Sequence, residues 1–546
     1  MRRPLLALIG STFSCAAFLG CVGLRVAPPV EAASAAVSPA PVTASTFLVS
    51  GRGWGHGVGM SQYGALGFAN AGWPHEQILA HFYAGTSLGP APVAQVRVLV
   101  AESKPELTIS SKAPFRVRDV LGTTHFLPAG PLVLRPRLEP VLNGIPTPLA
   151  GPLVLLPGRA PLELGRPDGG TSYRGRLEVA VAGAKLSAIN VVGLEDYLAG
   201  VVPREMPASW PVEALKAQAV AARSYALAHR VRNRTFDLYA DVRSQVYGGI
   251  ASEDARATAA IRATAGRVLL HGGTIVDALF HSTSGGRTVS AAEVFGTSVP
   301  YLVGVANPHS SLSPVNRWGP TAVTDATVRK GLGIASPVLG LQLVRSASGR
   351  VRSATVATVA GPKTVTAGAL RTGLGLRSTW ITTLASLTLS RPAGPVVYGR
   401  AVTVRADAKG IGGAVLSQRS GGAWTQVAAR PVAGMIAFTA KVLAPTSFRL
   451  SAGGVSGPVL EVPVAPLVSA AAQAGVFEGT AIPASPGTEV QLQLLDDLDW
   501  VSAGETVLDE GGAFRLEAEL GPGVYRVRVA PAAGFAAGLS RQFRIE

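Results

Sequence analysis

The spacing of apolar residues divides the chain into a mixed first part and an all-strand last part. Apolar residues alternate in short runs between Val93 and Val192, separated by Pro and Gly turns, which predicts a β-rich region. Helical spacing predicts a helix from Pro211, in its first turn, to Arg230, and another from Ser252, as N-cap, to Gly266. A short helix is predicted at 76–83, and strands at 46–50, around residue 271 and at 275–281. These elements predict an α+β core.

Helical patterns vanish beyond about residue 385, where an internal repeat begins. Trp424, Phe438 and the run 448–450 in one unit correspond to Trp500, Phe514 and the run 525–527 in the next. Two immunoglobulin-like β-sandwich modules of about 80 residues fit this pattern. The predicted fold is therefore an α+β catalytic core with a β-rich insert region, followed by two all-β modules, which usually act as spacers or binding units.

Glycine occupies every second position from Gly51 to Gly59. In an extended chain this places five glycines on one face and leaves a bare backbone against which another segment can lie. The segment is followed by Met60, Ser61, Gln62 and Tyr63. We expect it to form a close-packed part of the core.

Length and charge narrow the function classes. The 546 residues correspond to about three or four domains. There are 49 Lys and Arg against 33 Asp and Glu, giving +16, but only eight of these cations are Lys and they form no dense run. The excess of positive charge favours an anionic binding partner, but the absence of a dense run of Lys and Arg argues against nucleic-acid binding. We expect no nucleic-acid partner.

The amino terminus has the layout of an export signal. Arg2 and Arg3 precede an uncharged stretch, residues 4–24, which contains both cysteines of the chain, and small residues follow at 30–35. We expect cleavage near residue 32 or 35 and a secreted or envelope-associated protein without disulfides. The alternatives are an uncleaved anchor and a lipid-bearing Cys21, so contact with a membrane is expected only through this segment.

Common cofactor and metal motifs are missing from the sequence. No Gly-Lys pair occurs for a phosphate-binding loop, and the alternate glycines do not have dinucleotide-binding spacing. His75 has no second histidine at the spacing of a zinc-binding helix. Gly85–Gly89 matches the sequence pattern of a serine-hydrolase nucleophile elbow, but a predicted helix precedes it where that motif requires a buried strand. We expect neither a cofactor nor a metal.

Glu205 is the first candidate for catalysis. It lies between apolar residues and two prolines just before the long helix, where partial desolvation would raise the pKa of its carboxyl toward that of a general acid. The alternative is a surface glutamate paired with Arg204. Lys216 on the following helix also has two interpretations, a site residue or a surface partner of Glu213.

Two polar loops tipped by paired glycines, 241–249 and 281–288, are further candidates, because backbone and hydroxyl donors at such positions can approach a ligand. Ordinary turns have the same appearance.

Together these stretches resemble the SpoIID/LytB family, that is, the stage II sporulation protein D or amidase-enhancer family. The resemblance covers roughly residues 46–390. It is carried by the blocks 55–65 (GHGVGMSQYGA), 194–202 (LEDYLAGVV), 205–207 (EMP), 210–211 (WP), 213–226 (EALKAQAVAARSYA), 244–249 (SQVYGG) and 282–288 (STSGGRT).

Sporulation members of this family are lytic transglycosylases, which cut peptidoglycan glycan strands between N-acetylmuramic acid and N-acetylglucosamine and leave a 1,6-anhydro end. The resemblance implies that Glu205 is the catalytic acid and base. It implies that the following residues line the glycan groove: His56, Gln62, Tyr63, Lys216, Gln218, Arg223, Tyr225, Gln245, Tyr247, Ser282, Ser284, Gly285 and Gly286. No second carboxylate is needed, since the nucleophile belongs to the substrate.

One departure from the family pattern bears on the site. In sporulation members the glycine-histidine block follows the catalytic block, whereas here it precedes it. Circular permutation accounts for this order, and it preserves the groove only if residues 46–90 fold back against 190–310. The expected division is 1–35 signal or anchor, 36–45 linker, 46–90 permuted segment, 91–192 β-rich part, 193–388 catalytic core, 389–466 first module and 467–546 second module.

Three functions compete at this point. The first is an exported lytic transglycosylase, with glycan strands as its partner. The second is a non-catalytic member that binds glycan and stimulates a cell-wall amidase, and the third is a surface adhesion or spacer protein suggested by the β repeats alone.

Overall fold

The computed structural model describes residues 41–165, 169–231, 235–427, 434–473, 476–518 and 521–545. The predicted signal or anchor at 1–35 lies outside the described residues, as do residues 36–40 of the predicted linker. None of the helices in the described ranges is long and apolar enough to cross a membrane.

The first 150 described residues are dominated by strands. The elements are β1 (Val42–Arg52), β2 (Met60–Ser61), α1 (Gln62–Asn70), α2 (His75–Phe82), β3 (Ser87–Pro90), β4 (Gln95–Lys104), β5 (Leu107–Ser111), β6 (Phe115–Arg118), β7 (Thr124–Leu127), β8 (Gly130–Leu134), β9 (Val141–Leu142), β10 (Ile145–Pro146), β11 (Leu153–Leu156), β12 (Leu162–Leu164), β13 (Thr171–Tyr173), β14 (Arg176–Ala182) and β15 (Lys185–Gly193). The predicted β-rich character of residues 93–192 is confirmed. Strands β4, β6, β7, β11, β14 and β15 share a seven-stranded sheet with β16, and β5, β8, β12 and β13 form a second sheet.

Helices are concentrated in the next part of the chain. The elements are α3 (Leu194–Ala199), α4 (Val202–Glu205), α5 (Val212–Ala228), β16 (Leu238–Tyr239), α6 (Ala255–Ala263), β17 (Arg267–His271), β18 (Thr274–Ile275), β19 (Phe280–His281), α7 (Ala291–Phe295), β20 (Arg317–Thr324), α8 (Asp325–Leu332), β21 (Val338–Arg345), β22 (Val351–Thr358), β23 (Lys363–Thr366), α9 (Ala367–Gly373) and β24 (Ile381–Arg391), with 3-10 turns at Ile250–Ser252 and Pro308–Leu312.

Three local predictions in this part were wrong. Ser252 does not cap α6; the N-cap is Asp254, whose carboxylate accepts the backbone N–H groups of Arg256 and Ala257. Pro211 is the N-cap of α5 and not a first-turn residue. The strand expected at 275–281 is two separate pieces, β18 and β19, which belong to different sheets.

The rest of the described chain consists of strands. They are β25 (Val396–Val397), β26 (Ala401–Lys409), β27 (Val415–Arg419), β28 (Thr425–Gln426), β29 (Gly434–Lys441), β30 (Thr446–Ala452), β31 (Val455–Val462), β32 (Val464–Ala465), β33 (Leu467–Gln473), β34 (Val476–Ile482), β35 (Glu489–Asp496), β36 (Asp499–Val507), β37 (Ala513–Glu517), β38 (Gly523–Val529), β39 (Gly538–Leu539) and β40 (Phe543–Ile545).

The strand order repeats in this last part. Strands β24-β26-β29 and β28-β27-β30-β31 form two sheets, and β33-β34-β37 and β36-β35-β38-β39 form two sheets of the same order. Corresponding strands carry the residues of the sequence repeat, with Phe448 in β30 and Tyr525 in β38. The sheet β24-β26-β29 has two more strands than its counterpart, because β1 pairs with β24 and β20 pairs with β1. The boundary expected between residues 388 and 389 therefore lies inside strand β24.

Strand β1 is longer than predicted because both of its faces are buried. Phe47 and Val49 pack into a core with residues of α8, β22 and α9, whereas Leu48 packs into the core between the two sheets that contain β26 and β27. The side chains of a strand alternate between faces, so one strand contributes to two cores.

Helix α5 is buried on nearly all sides. Ala219 and Ala222 pack against the β-rich region, and Leu215 and Val220 pack into a second core with residues of α1, α2 and the segment 276–302. A helix that lies between two cores has no wide polar face.

The glycine-rich segment is not an extended strand, which corrects the sequence-based expectation. Gly53, Gly55, Gly57 and Gly59 all have positive φ, between 69° and 112°. The close approach is real, since a Cβ on Gly59 would lie 2.0 Å from the carbonyl oxygen of Leu279. These positions exclude a side chain for two reasons, left-handed backbone and lack of space.

Candidate functional site

Glu205 ends the short helix α4 and is followed by extended backbone at Met206, whose side chain is buried in the second core. The carboxyl group is half-buried. Burial raises the pKa of Glu205, while a hydrogen bond from the Gln62 amide and the positive charge of Arg204 act in the opposite direction with smaller effect. Arg204 itself donates to Ser252 Oγ at 3.4 Å. Glu205 therefore keeps its proton to a higher pH than an exposed glutamate.

The amino-terminal segment supplies the partner of Glu205. Ser61 caps α1 by accepting the N–H of Gly64 at 3.2 Å, so Gln62 is the first residue of that helix. Strand β2 pairs in parallel with β19, and the N–H of Tyr63 donates to the carbonyl of Ser282 at 3.1 Å. Residues 46–90 thus fold back against residues 190–310, and the geometric condition set by the permuted order is met.

Aromatic rings lie beside this carboxyl. Tyr63 packs edge-on against Trp210 with ring centroids 4.9 Å apart. Tyr225, half-buried on α5, stacks on His229 at 4.1 Å, and its pKa is raised by burial and then by the negative charges of Asp277 and Glu205. Of the predicted residues, Gln62 and Tyr225 interact with Glu205. Tyr63 follows Gln62 on α1 and joins it to Ser282.

A hydrogen-bonded pair that sequence reasoning missed lies behind Tyr225. His229 Nε2 is 2.8 Å from Asp277 Oδ1, and both side chains are 37% exposed. Neither residue belongs to a motif, and they come from different elements, so no local pattern in the sequence indicates the pair.

His56, within the glycine-rich segment, forms a neutral pair with His281. Their ring centroids are 5.5 Å apart. Burial lowers the pKa of His56 to about 4, against a hydrogen bond to the Phe280 carbonyl, and Arg371 and Arg350 lower it further. Burial and the neighbouring His56 lower the pKa of His281 well below its usual value. At neutral pH both rings are uncharged.

Arg223 lies in the interior, which corrects the expectation that it lines a groove. Its side chain is 0% exposed and it donates to Glu195 through Nε at 3.1 Å and Nη2 at 2.5 Å. Nη1 donates to the Arg267 carbonyl at 2.9 Å. The guanidinium group joins α3, α5 and β17 and has no surface left for a ligand.

Four other predicted groove residues are also buried. Tyr247 donates to Asn190 Oδ1 at 2.9 Å, and Gln245 Oε1 accepts from the Tyr197 hydroxyl at 3.2 Å. Ser284 accepts from Asn307 Nδ2 at 2.9 Å, and Gln218 is 0% exposed. Their packing corrects the expectation of a groove-lining role in this conformation. The glycines of the same loop differ, because Gly285 packs against Arg52 whereas Gly286 is exposed.

Lys216 is engaged in an ion pair at the start of α5. Its Nζ lies 2.7 Å from Glu213 Oε1, and Glu213 Oε2 accepts the N–H of His75 at 2.8 Å. Partial burial would raise the pKa of Glu213, but the hydrogen bonds from Lys216 and His75 lower it to about 2. His75, Glu76 and Glu213 place three potential ligand atoms within 4.8 Å. The Lys216 ammonium and the His75 N–H already occupy Glu213, so this cluster links α2 to α5.

The comparisons with known proteins concern the part of the chain that carries this site. Residues 182–271 match the family model described as Stage II sporulation protein, SpoIID. The matched segment contains Glu205, α5 and α6 and ends with strand β17. The class of domain at the site is therefore that of the SpoIID proteins.

The curated relatives agree with this class. Stage II sporulation protein D of Bacillus subtilis is 31% identical over 209 residues, 35% of this chain and 60% of the relative. The amidase enhancer of Bacillus subtilis is 44% identical over 107 residues, 19% of this chain and 14% of the relative. An uncharacterised protein of Brachyspira hyodysenteriae is 39% identical over 139 residues, 25% of this chain and 38% of the relative. The matches span less than two thirds of each relative, and together they support the SpoIID/LytB family for this chain.

Solved structures add nothing to this assignment. Titin domains A168–A170 match 35% of this chain and 73% of their own length at 11% identity and a TM-score of 0.13. The human OSCAR ligand-binding domain matches 29% of this chain and 96% of its own length at 16% identity, with the same TM-score. Scores this low carry no argument.

Proposed function

We propose that this protein is an exported lytic transglycosylase that cleaves peptidoglycan glycan strands with Glu205 as its single acid and base. The observation that carries the proposal is the half-buried Glu205 carboxyl at the end of α4, whose pKa is raised by burial. A general acid must be protonated near neutral pH, and desolvation favours that form. Tyr63, Trp210 and Tyr225 offer flat apolar surfaces beside it for sugar rings.

The proposed reaction proceeds in two proton transfers. The protonated Glu205 carboxyl donates its proton to the glycosidic oxygen as the bond from that oxygen to muramyl C1 breaks, and N-acetylglucosamine leaves with its hydroxyl restored. The muramyl 6-hydroxyl oxygen then bonds to C1 and its proton passes to the Glu205 carboxylate. The carboxyl is regenerated and the product is the 1,6-anhydro sugar.

The role proposed for Gln62 is to orient the carboxylate. The Gln62 side chain acts to lower the pKa of Glu205 and offsets part of the effect of burial. The carboxyl can therefore release its proton as well as hold it.

The test is digestion of glycan strands by the full chain, with and without stem peptides, followed by mass analysis of the ends. We expect anhydro-muramyl ends from the wild type and none from Glu205→Gln, which keeps the size of the side chain and should still bind. Glu76→Gln, at an exposed carboxyl, is the matched control and should cleave normally. Normal cleavage by Glu205→Gln would exclude the proposed role.

The second candidate is a non-catalytic enhancer of a cell-wall amidase. It is supported by the relative named amidase enhancer, which is 44% identical over 107 residues. In this case the wild type would leave the strands intact and would accelerate release of stem peptides by a purified amidase, and Glu205→Gln would do so equally well.

A further inference from the structure

The first of the two repeat units carries a pair of arginines held over a tryptophan ring. The guanidinium carbons of Arg449 and Arg419 lie 4.4 and 4.8 Å from the ring centroid of Trp424. Arg419 ends β27, Arg449 lies in the neighbouring β30, and Trp424 immediately precedes β28. Three strands of one sheet thus assemble what we call the Arg-Trp cluster, consisting of Arg419, Trp424 and Arg449.

The cluster lies on the outer face of its sheet. Along β30 the buried side chains are Phe448 and Leu450, which belong to the core, so Arg449 between them points the other way. Arg419 is exposed and Trp424 is half-buried.

Among the described residues, no carboxylate neutralises the two guanidinium groups. Within the described ranges neither Arg419 nor Arg449 has a carboxylate within ion-pair distance or a side-chain hydrogen bond. The indole ring holds them by cation-π attraction, which leaves most of their N–H donors available. Both guanidinium carbons lie within 4.8 Å of one ring centroid, so two positive charges are held at one place on the surface, where a bound anion would offset their repulsion.

The charge of the repeat units separates this site from its counterpart. Residues 389–466 contain eight Lys and Arg against two Asp and Glu, a formal charge of +6, and residues 467–546 contain five against eleven, a charge of −6. The second unit has the corresponding stack, Arg526 at 3.9 Å from the Trp500 ring. There, however, Arg526 donates to Gln493 at 2.9 Å, and the nearby Gln491 is bonded to Glu489. Equivalent stacks thus occur in settings of opposite charge.

We propose that the Arg-Trp cluster is a binding site for an anionic glycopolymer of the cell envelope, recognised through its repeating oxyanion groups. Guanidinium groups bind phosphate and carboxylate oxygens through paired N–H donors, and two of them fixed on one ring can engage successive groups of a chain. The choice of an envelope polymer among polyanions rests on the proposed function, whereas the site itself does not involve Glu205.

The experiment measures binding of the full chain to four polymers, poly(glycerol phosphate), polygalacturonate, neutral dextran and single-stranded DNA, at several salt concentrations. We expect binding to one or both anionic polymers that weakens as salt is added, and none to dextran. The phosphate and carboxylate arms identify the anion. Glu205→Gln should bind as the wild type does, so that failure of the proposed catalysis and failure of this site are distinguishable.

The variant Arg419→Gln/Arg449→Gln should bind about tenfold more weakly than the wild type. The matched control is Arg400→Gln/Arg405→Gln, which removes two exposed charges elsewhere in the same unit, and it should change affinity less than about twofold. Arg526→Gln in the acidic unit should also have little effect.

A second variant, Arg419→Lys/Arg449→Lys, keeps both charges and loses the planar donors, and should bind more weakly than the wild type. Equal losses in the Arg419/Arg449 variant and the control pair would overturn the proposal, because general charge would then explain binding. Absence of binding to both anionic polymers would also overturn it, as would tighter binding to single-stranded DNA than to either.

Discussion

Replacing Glu195 by Gln should leave the buried guanidinium of Arg223 without its neutralising carboxylate and destabilise the fold. Arg223 is fully buried, and Glu195 accepts from its Nε and Nη2 and from the N–H of Gly266 at 3.0 Å. The amide keeps one acceptor but places an NH2 group against an N–H donor and removes the neutralising charge. Breaking a buried pair from one side costs about 3–5 kcal/mol. Because Glu195 is 33% exposed, water can replace part of the carboxylate, and we expect about 3 kcal/mol.

The assay is thermal denaturation followed by near-ultraviolet circular dichroism. A loss of about 3 kcal/mol should lower Tm by roughly 6–12 °C for a domain of 150–250 residues. The double variant Glu195→Gln/Arg223→Met should be more stable than Glu195→Gln alone, since it removes the buried guanidinium that has lost its partner. The folded double variant should still bind glycan strands.

Two results would refute this reasoning. A Glu195→Gln protein as stable as the wild type would mean that Arg223 is not held by this pair. A double variant that is stable but has lost glycan binding would return Arg223 to the ligand surface.

Three further predictions concern pH and packing. Glu205 is disfavoured as an anion in the folded state, so its own contribution to stability should fall as pH rises above 4.5, and Glu205→Gln should have a higher Tm than the wild type at pH 8 but not below pH 4. The pKa of His56 falls from 6.5 to about 4 on folding, so up to about 3 kcal/mol of stability should be lost as pH falls through this interval. In denaturant titrations, His56→Asn should show a smaller loss of stability over the same interval, because only the contribution of His281 remains. Gly200→Ala places a Cβ 2.6 Å from the Tyr247 ring and should cost about 1–3 kcal/mol, whereas Gly412→Ala, with open space around it, should change the unfolding free energy by less than about 0.5 kcal/mol.

Elements whose pattern is local were predictable from the sequence. Period-two alternation between Val93 and Val192 corresponds to β4–β15, and α5 is within two residues of its predicted ends. The repeat of Trp424 in Trp500 corresponds to sheets of the same strand order. These signals depend on neighbours in the chain, which the sequence contains.

The site was only partly predictable, because its geometry depends on contacts between distant segments. The position of Glu205 between apolar residues indicates its desolvation, but the effect of Gln62 on its pKa requires α1 to lie near α4. Arg223 and Tyr247 belong to polar motifs, yet partners on other elements, Glu195 and Asn190, take them into the interior. Polarity in a motif does not distinguish a ligand contact from a buried structural bond.

The central claim is that one carboxyl transfers a proton to the leaving sugar and recovers one from the substrate's own hydroxyl. The most direct test is digestion of glycan strands in water enriched in oxygen-18, followed by mass analysis of the muramyl ends. Since no water attacks C1 in this reaction, the account predicts ends that are lighter than the hydrolysed sugar by one water and carry no heavy oxygen. Reducing muramyl ends labelled with oxygen-18 would contradict it.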